Sequence, residues 1–242
     1  MVKPLVSKSR KKTAAAGKDK PLVQQAYEQI REKIIRLQFL PGQYLNEAAV
    51  CETLGLGRTP VHQALQLLQL EGLIEILPRK GIIVQPDGAK EILKILEARI
   101  TVEPALAGKA AELSEAGEIS VEALAELSEL AQEPDETLDP PDIDAFVAND
   151  RAFHRKINEL SGNSILGEFA TTLHDRSCRF WYLNLWQTLN VSVSKNMHLN
   201  IAKAIVEGDK KMASQAMHDH IFELTERLKR LPPNAFGVAR QD

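Results

Sequence analysis

The chain has 242 residues, 26% charged and 44% hydrophobic, values ordinary for a globular protein but more length than one common-sized domain needs. No uninterrupted apolar run is long enough to span a bilayer, and the basic N-terminus lacks the apolar core of a secretory signal, so a cytoplasmic setting with no membrane partner is expected. The net charge of −3 conceals a polarity: residues 1–86 hold 13 Lys/Arg against 7 Asp/Glu, and residues 87–242 hold 17 against 26. A basic front on an acidic body suits a nucleic-acid-binding module joined to a second domain; a solubilising basic tail is the plainer reading, and charge alone leaves both open.

Residues 1–20 are polar, Lys/Ala-rich and aperiodic, and are expected to be a disordered basic tail. Pro21 suits a helix start, and Val23, Ala26, Tyr27, Ile30, Ile34 and Leu37 follow at helical spacing. "FLPGQYL" (39–45) stops that helix with a Pro-Gly turn. A short helix over 47–54 is closed by Gly55. The next helix reopens near Thr59, an N-cap candidate with Pro60 at the first helical position, and Val61, Leu65, Leu68 and Leu70 carry it to Gly72. In "LIEILPRKGIIVQP" two β-branched runs, 74–77 and 82–84, flank a turn, which predicts a hairpin. Helix, helix, turn, helix, hairpin in this order predicts a winged helix-turn-helix over 21–86, with Pro86 and Gly88 at the boundary.

Beyond 88 the pattern is helical throughout, with no repeat and no strand. A long helix runs from Ile92 to about Leu113, with a kink expected at Pro104. Ser120 caps a short helix to about Gln132. "EPDETLDPPD" reads as a loop. Further helices are expected at about 141–161, 164–188, 192–207 and 209–231, broken by "SGN" and by "EGD" with Asp209 as an N-cap. The fold class is therefore mainly α: a winged helix-turn-helix followed by an all-α bundle of six helices over 90–231.

In a helix-turn-helix the second helix presents its N-terminal residues to the major groove. Here these are Arg58, Thr59, His62 and Gln63. Arg58 can fork onto a guanine edge or grip a phosphate, Thr59 can bond a phosphate or touch a thymine methyl, and His62 and Gln63 can reach bases. Arg79 and Lys80, at the hairpin tip, suit a wing over the backbone. An ordinary capped helix with a basic turn is the alternative from spacing alone. The stretch 39–84, with its "GRTPV.QAL..L..EGL......G..V" skeleton, resembles the DNA-binding part of GntR-type bacterial transcription regulators. It departs from the family where Gly57 replaces Ser or Thr, His62-Gln63 replace Arg-Glu, and Ala48 stands near a common Arg. The resemblance implies binding to a double-stranded, palindromic operator as a homodimer, and a buried helix-2 position for Cys51. With Cys178, Cys51 completes the cysteine inventory; the two are far apart, without metal-type spacing, which fits a reducing compartment.

The second half raises a different question. Ile143, Phe146, Val147, Phe153, Ile157 and Leu160 mark an apolar helix face, yet Asp150 and His154 lie on the same stripe, one turn apart. The segments "EARITVEPALAGKAA" (97–111), "DRAFHRKINELSGN" (150–163) and "HLNIAKAIVEGDKKMASQAMHDH" (198–220) resemble FCD-type effector domains, and six helices rather than seven suggest the VanR-like subgroup. The resemblance implies one divalent metal per chain held by Asp150, His154, His198 and His220. The residues support this separately. His198 and His220 flank Gly208 at similar distances, about 15–18 Å along their helices, so they face each other. Four polar groups on three apolar faces need a common partner, since unpaired burial costs ~1–3 kcal/mol each. A cation meets that need, and imidazole with carboxylate suits zinc, nickel or manganese; a polar cluster bonded to itself or to water is the alternative. The ligand set leaves room for a small organic acid as effector. Arg99 matches a family arginine and could clamp its carboxylate, or else pair with Glu103 one turn on. A purely structural metal is a second reading. A metal-dependent hydrolase is a third, held lower because HExxH and its relatives are absent, so no enzyme activity is expected. His174 and His218 fall off the stripes and are taken as surface groups or groups behind the ligands; Phe180, Trp181 and Trp186 are taken as core.

Overall fold

The computed structural model describes residues 20–86, 88–132, 142–183 and 191–230. The expected tail (1–19), the loop over 133–141, residues 184–188 of the fourth bundle helix and Trp186 lie outside them, as does the side chain of Trp181.

The first unit is built on α1 (Leu22–Ile35), α2 (Glu47–Leu54) and α3 (Arg58–Leu70). Ala26, Ile30 and Ile34 repeat every four residues on α1 and are fully buried. They meet Val61, Ala64, Leu65 and Leu68 of α3, whose 3/4 spacing presents a matching stripe. The side chain of Asn46 accepts the Ala48 N–H to start α2, and Gly55, at φ 64°, ends it in a left-handed conformation that only glycine adopts without strain. Gly57, not Thr59, is the N-cap of α3. Thr59 falls inside the first turn, and Pro60 is tolerated there because the first N–H groups of a helix have no intrahelical partner. The hairpin is present as β2 (Ile74–Leu77) and β3 (Gly81–Val84), antiparallel with Glu75 opposite Ile83. A third strand joins it: β1 (Tyr44–Leu45) pairs with Ile83 and Ile82, giving the order β1-β3-β2. The sequence predicts only a turn there, because two residues are too few to show alternation.

The second unit contains, among the described residues, α4 (Ala89–Glu115), α5 (Val121–Leu130), α6 (Ile143–Leu160), α7 (Ser164–Leu183), α8 (Val191–Val206) and α9 (Lys210–Lys229). The caps predicted at Ser120 and Asp209 are made, each side chain accepting a backbone N–H three residues on. Pro104 sits inside an uninterrupted α4. A Cβ at Gly108 would collide with the Ser214 hydroxyl, which instead donates to the Pro104 carbonyl at 2.7 Å, so α9 packs close along α4. Phe153, Ile157, Ile201, Ile205, Met217 and Ile221 fill the interior.

The two units touch through particular residues. Ile35, the last residue of α1, is buried among Ile92 and Leu96 in the core of the second unit rather than the first. Arg31 of α1 reaches Asp175 of α7 at 2.6 Å, and Arg179 of α7 donates to the Gln85 carbonyl at 2.6 Å, just past the wing.

Candidate metal centre and DNA-reading surface

Three helices deliver the predicted ligands to one point. Asp142 caps α6 by accepting the Ala145 N–H. Eight residues on, Asp150 faces inward, and His154 stands one turn above it. His198 on α8 and His220 on α9 arrive from the neighbouring hairpin, and all four are buried. Asp150 Oδ1 lies 3.5 Å from His198 Nε2 and 3.8 Å from His154 Nε2, while the Nε2 atoms of His154 and His220 are 3.3 Å apart. The edges of a tetrahedron with metal–ligand bonds near 2.05 Å are about 3.3 Å. The set thus has the donor types, the number and the approximate spacing that a borderline divalent cation takes.

The protonation states fit as well. Burial, then the neighbouring His174, push His154 down to about 4, against the pull of Glu103. Burial, then His198 and His154, hold His220 well below the usual histidine range. Burial opposes ionisation of Asp150, but His174 and the other imidazoles outweigh it and keep the carboxyl well below its ordinary value. At neutral pH His154 and His220 are therefore neutral imidazoles and Asp150 an anionic carboxylate, the forms in which these groups ligate.

Behind the ligands stand residues that orient them. His154 Nδ1 donates to Glu103 Oε2 at 2.7 Å, which leaves Nε2 as the lone-pair donor. Glu103 is in turn held by Arg99, Nε to Oε1 at 2.5 Å and Nη2 to Oε2 at 3.3 Å, and Arg99 Nη1 donates to Ser177 Oγ at 2.9 Å. Burial resists the charge on Glu103, but Arg99 and His154 hold its carboxyl far below the usual range. Of the two sequence readings of Arg99, the structure forms the Glu103 pair. A direct clamp on an incoming acid would require Arg99 to exchange a partner it already has.

His174 is not a surface residue. Only 3% exposed, its Nε2 meets Asp150 Oδ2 at 3.1 Å, so the imidazole takes one carboxylate oxygen and leaves the other to the histidine cluster. Its Nδ1 is 3.4 Å from Cys178 Sγ. Asp150, His174 and Cys178 form a second group of metal-ligating types, but the thiol and the carboxylate sit on opposite nitrogens of the ring, an arrangement of a hydrogen-bonded relay rather than a chelate. Burial, then Asp150, push the Cys178 thiol up, keeping it protonated. His218 is exposed, as expected, Phe180 is core, and Cys51 is half-buried rather than fully so.

The other predicted residues lie on the surface of the first unit. Arg58, Thr59, His62 and Gln63 are all exposed at the N-terminal end of α3, and Arg79 and Lys80 are exposed in the turn between β2 and β3. Sequence reading missed two neighbours that fix His62. Glu47 Oε2 of α2 lies 3.0 Å from its Nδ1, and Gln66 Nε2 lies 3.2 Å from its Nε2. His62 thus has a neighbour at each ring nitrogen.

Residues 22–84 match the bacterial regulatory proteins of the gntR family, and residues 94–223 match the FCD domain. The chain belongs to the GntR family and carries an FCD domain. It is a DNA-binding transcription regulator, not an enzyme. Two similar proteins are HTH-type transcriptional regulators. One, from an unstable DNA locus of Streptomyces ambofaciens, is 29% identical over 226 residues, 88% of each chain. The other, from the TAR-I ttuE-ttuC' intergenic region of Agrobacterium vitis, is 32% identical over 154 residues, 64% of this chain and 86% of that one. The fold is shared with Escherichia coli McbR/YncC at a TM-score of 0.74 and 21% identity, over 87% of this chain and 98% of the other. No described helix is long and apolar enough to cross a membrane.

Proposed function

We propose that this GntR/FCD regulator is a cytoplasmic homodimer of the VanR-like subgroup, with a head over 21–86 that binds a palindromic operator and an effector domain over 90–231 that holds one divalent metal ion per chain. Asp150, His154, His198 and His220 are the ligands; zinc or nickel suits them best, and manganese also fits. The observation that carries this reading is the meeting of three buried histidines and one buried carboxylate whose ligand atoms all lie within 4.8 Å of one another. A cation there would take a small organic acid through its carboxylate by expanding beyond four-coordination, and that acid is the effector. Glu103 and His174 keep the ligand atoms aimed; Arg99 acts on the site through Glu103. In the head, Arg58, Thr59, His62 and Gln63 meet base edges and phosphates, while Arg79 and Lys80 lie over the backbone.

Metal content by elemental analysis tests the site. Wild type should hold about one equivalent per chain, and both His154→Ala and His220→Ala should lose it; unchanged stoichiometry in the two variants defeats the assignment. Calorimetric titration with mono-, di- and hydroxy-carboxylates, on loaded and stripped protein, then separates an effector site from a structural metal. An acid that binds only the loaded form supports the first, and no binding at all supports the second.

A further inference from the structure

Two dipeptides occupy the space between the metal centre and the head, one on α6 and one on α7. In each, one residue faces the centre and the next faces α1. On α6, Asp150 is a ligand, and Arg151 donates to Glu32 of α1 at 2.8 Å. On α7, His174 bonds Asp150, and Asp175 meets Arg31 of α1 at 2.6 Å. The pairs are also tied to each other, because Arg151 Nε donates to Asp175 Oδ1 at 2.8 Å. The Asp175 side chain is only 2% exposed and Arg31 and Arg151 are 13%, so these ions are largely screened from water and hold fixed positions. The same turn of α7 continues the pattern: Ser177 accepts from Arg99, while Arg179 donates to the Gln85 carbonyl where the chain leaves the wing.

We propose that Asp150–Arg151 and His174–Asp175 form the mechanical link between the metal centre and the reading head, with Asp175 as its hinge pin. The inference rests on the metal reading above and adds how occupancy of that site reaches DNA. A cation held by Asp150, His154, His198 and His220 would fix Asp150 Oδ1 among three imidazoles. His174 is bonded to the other oxygen of that carboxylate, and Arg151 is its covalent neighbour, so both follow. Through Asp175 and Glu32 the displacement reaches α1, whose Ala26–Ile30–Ile34 face packs on the recognition helix α3. A close-packed helix pair moves as a body, so a small shift at α1 re-aims α3. Only a difference in affinity between two head orientations lets such a shift alter operator binding, and the buried ion cluster is where that difference would be stored. Arg31, Arg151 and Asp175 are positioning residues; none touches a ligand atom of the proposed site.

The test uses the full chain and a DNA duplex selected by the wild-type protein from a random library. Duplex affinity is measured on chelator-stripped protein and again after adding one equivalent of zinc, for wild type, Asp175→Asn and Arg31→Gln. Wild type is expected to change affinity by about 5- to 150-fold on zinc addition, the usual span for coupled sites. Both variants should take up the same zinc and still bind the duplex, with the zinc-dependent ratio reduced to about one. Amide hydrogen exchange over 22–35 should respond to zinc in wild type and not in the variants, a readout that needs no DNA. Should Asp175→Asn fail to fold, Arg31→Gln, at the head end of the link, decides. Variants that keep the full ratio and the exchange response overturn the link. So does a wild type that takes up zinc with no response over 22–35, and in that case the metal assignment survives. A wild type that takes up no zinc defeats the metal assignment and the link with it.

Discussion

The two halves of this chain bury different things. The core of the head is hydrocarbon: Ala26, Ile30, Ile34, Val61, Leu65, Leu68 and Ile74, with no buried polar side chain among its described residues. The helical half buries Arg99, Glu103, Asp150, His154, His174, His198 and His220 within its apolar interior. Side-chain polarity in the head is confined to its surface, where DNA is met, so its interior is free to be optimised for packing. The helical half keeps its chemistry inside and must satisfy each polar group there, because a buried group left without a partner costs ~1–3 kcal/mol. Its stability is thereby coupled to its proposed ligand, whereas the stability of the head is not.

Three experiments press on that contrast. The largest effect should come from Leu65→Ala in the hydrocarbon core, at ~2–5 kcal/mol. Thermal unfolding and duplex binding should both suffer while metal content stays at the wild-type level; loss of metal in this variant would show that the two cores are one. Arg58→Ala is next, costing ~1–3 kcal/mol of operator affinity if it reads a base. The melting temperature should hardly move, and log affinity should fall linearly with log salt in wild type. A variant that binds as well as wild type removes Arg58 from the interface. Third, Glu103→Gln keeps an acceptor for His154 but loses the charge. Metal affinity, read by chelator competition, should drop about 10- to 100-fold, or ~1.4–2.7 kcal/mol. Unchanged affinity would mean that His154 is oriented by packing alone.

What the sequence disclosed follows the range of the forces involved. Long helices were legible because each repeats its period several times, and Asp150 and His154 stood out because they interrupt an otherwise apolar stripe. His198 and His220 could be paired because the turn at Gly208 fixes their heights. The short strand at Tyr44–Leu45 had no period to show. Thr59 drew the cap assignment through its side-chain preference, yet the backbone of Gly57 takes that place. Glu103 was visible as a partner of Arg99 one turn away, but its bond to His154 joins residues 51 apart in sequence. His174 was left between the surface and a place behind the ligands for a related reason. Helix α7 packs on α6, α4 and α1 at once, so its buried positions do not fall on one stripe and an inward histidine leaves no periodic mark.

The position of Ile35 has a consequence for how such chains can be recombined. Helix α1 is shared property: its first turns complete the head, and its last residue is a plug in the neighbouring core, flanked by Arg31 and Glu32 that answer Asp175 and Arg151. A head cut away at the boundary after the wing would carry an apolar residue and an arginine without its Asp175 partner into water, and the helical half would be left with a hole and an Asp175 carboxylate that keeps only Arg151. The seam that matters for exchanging heads among such regulators is therefore not the linker at 85–90 but the C-terminal half of α1, and a transplant would have to match it residue for residue.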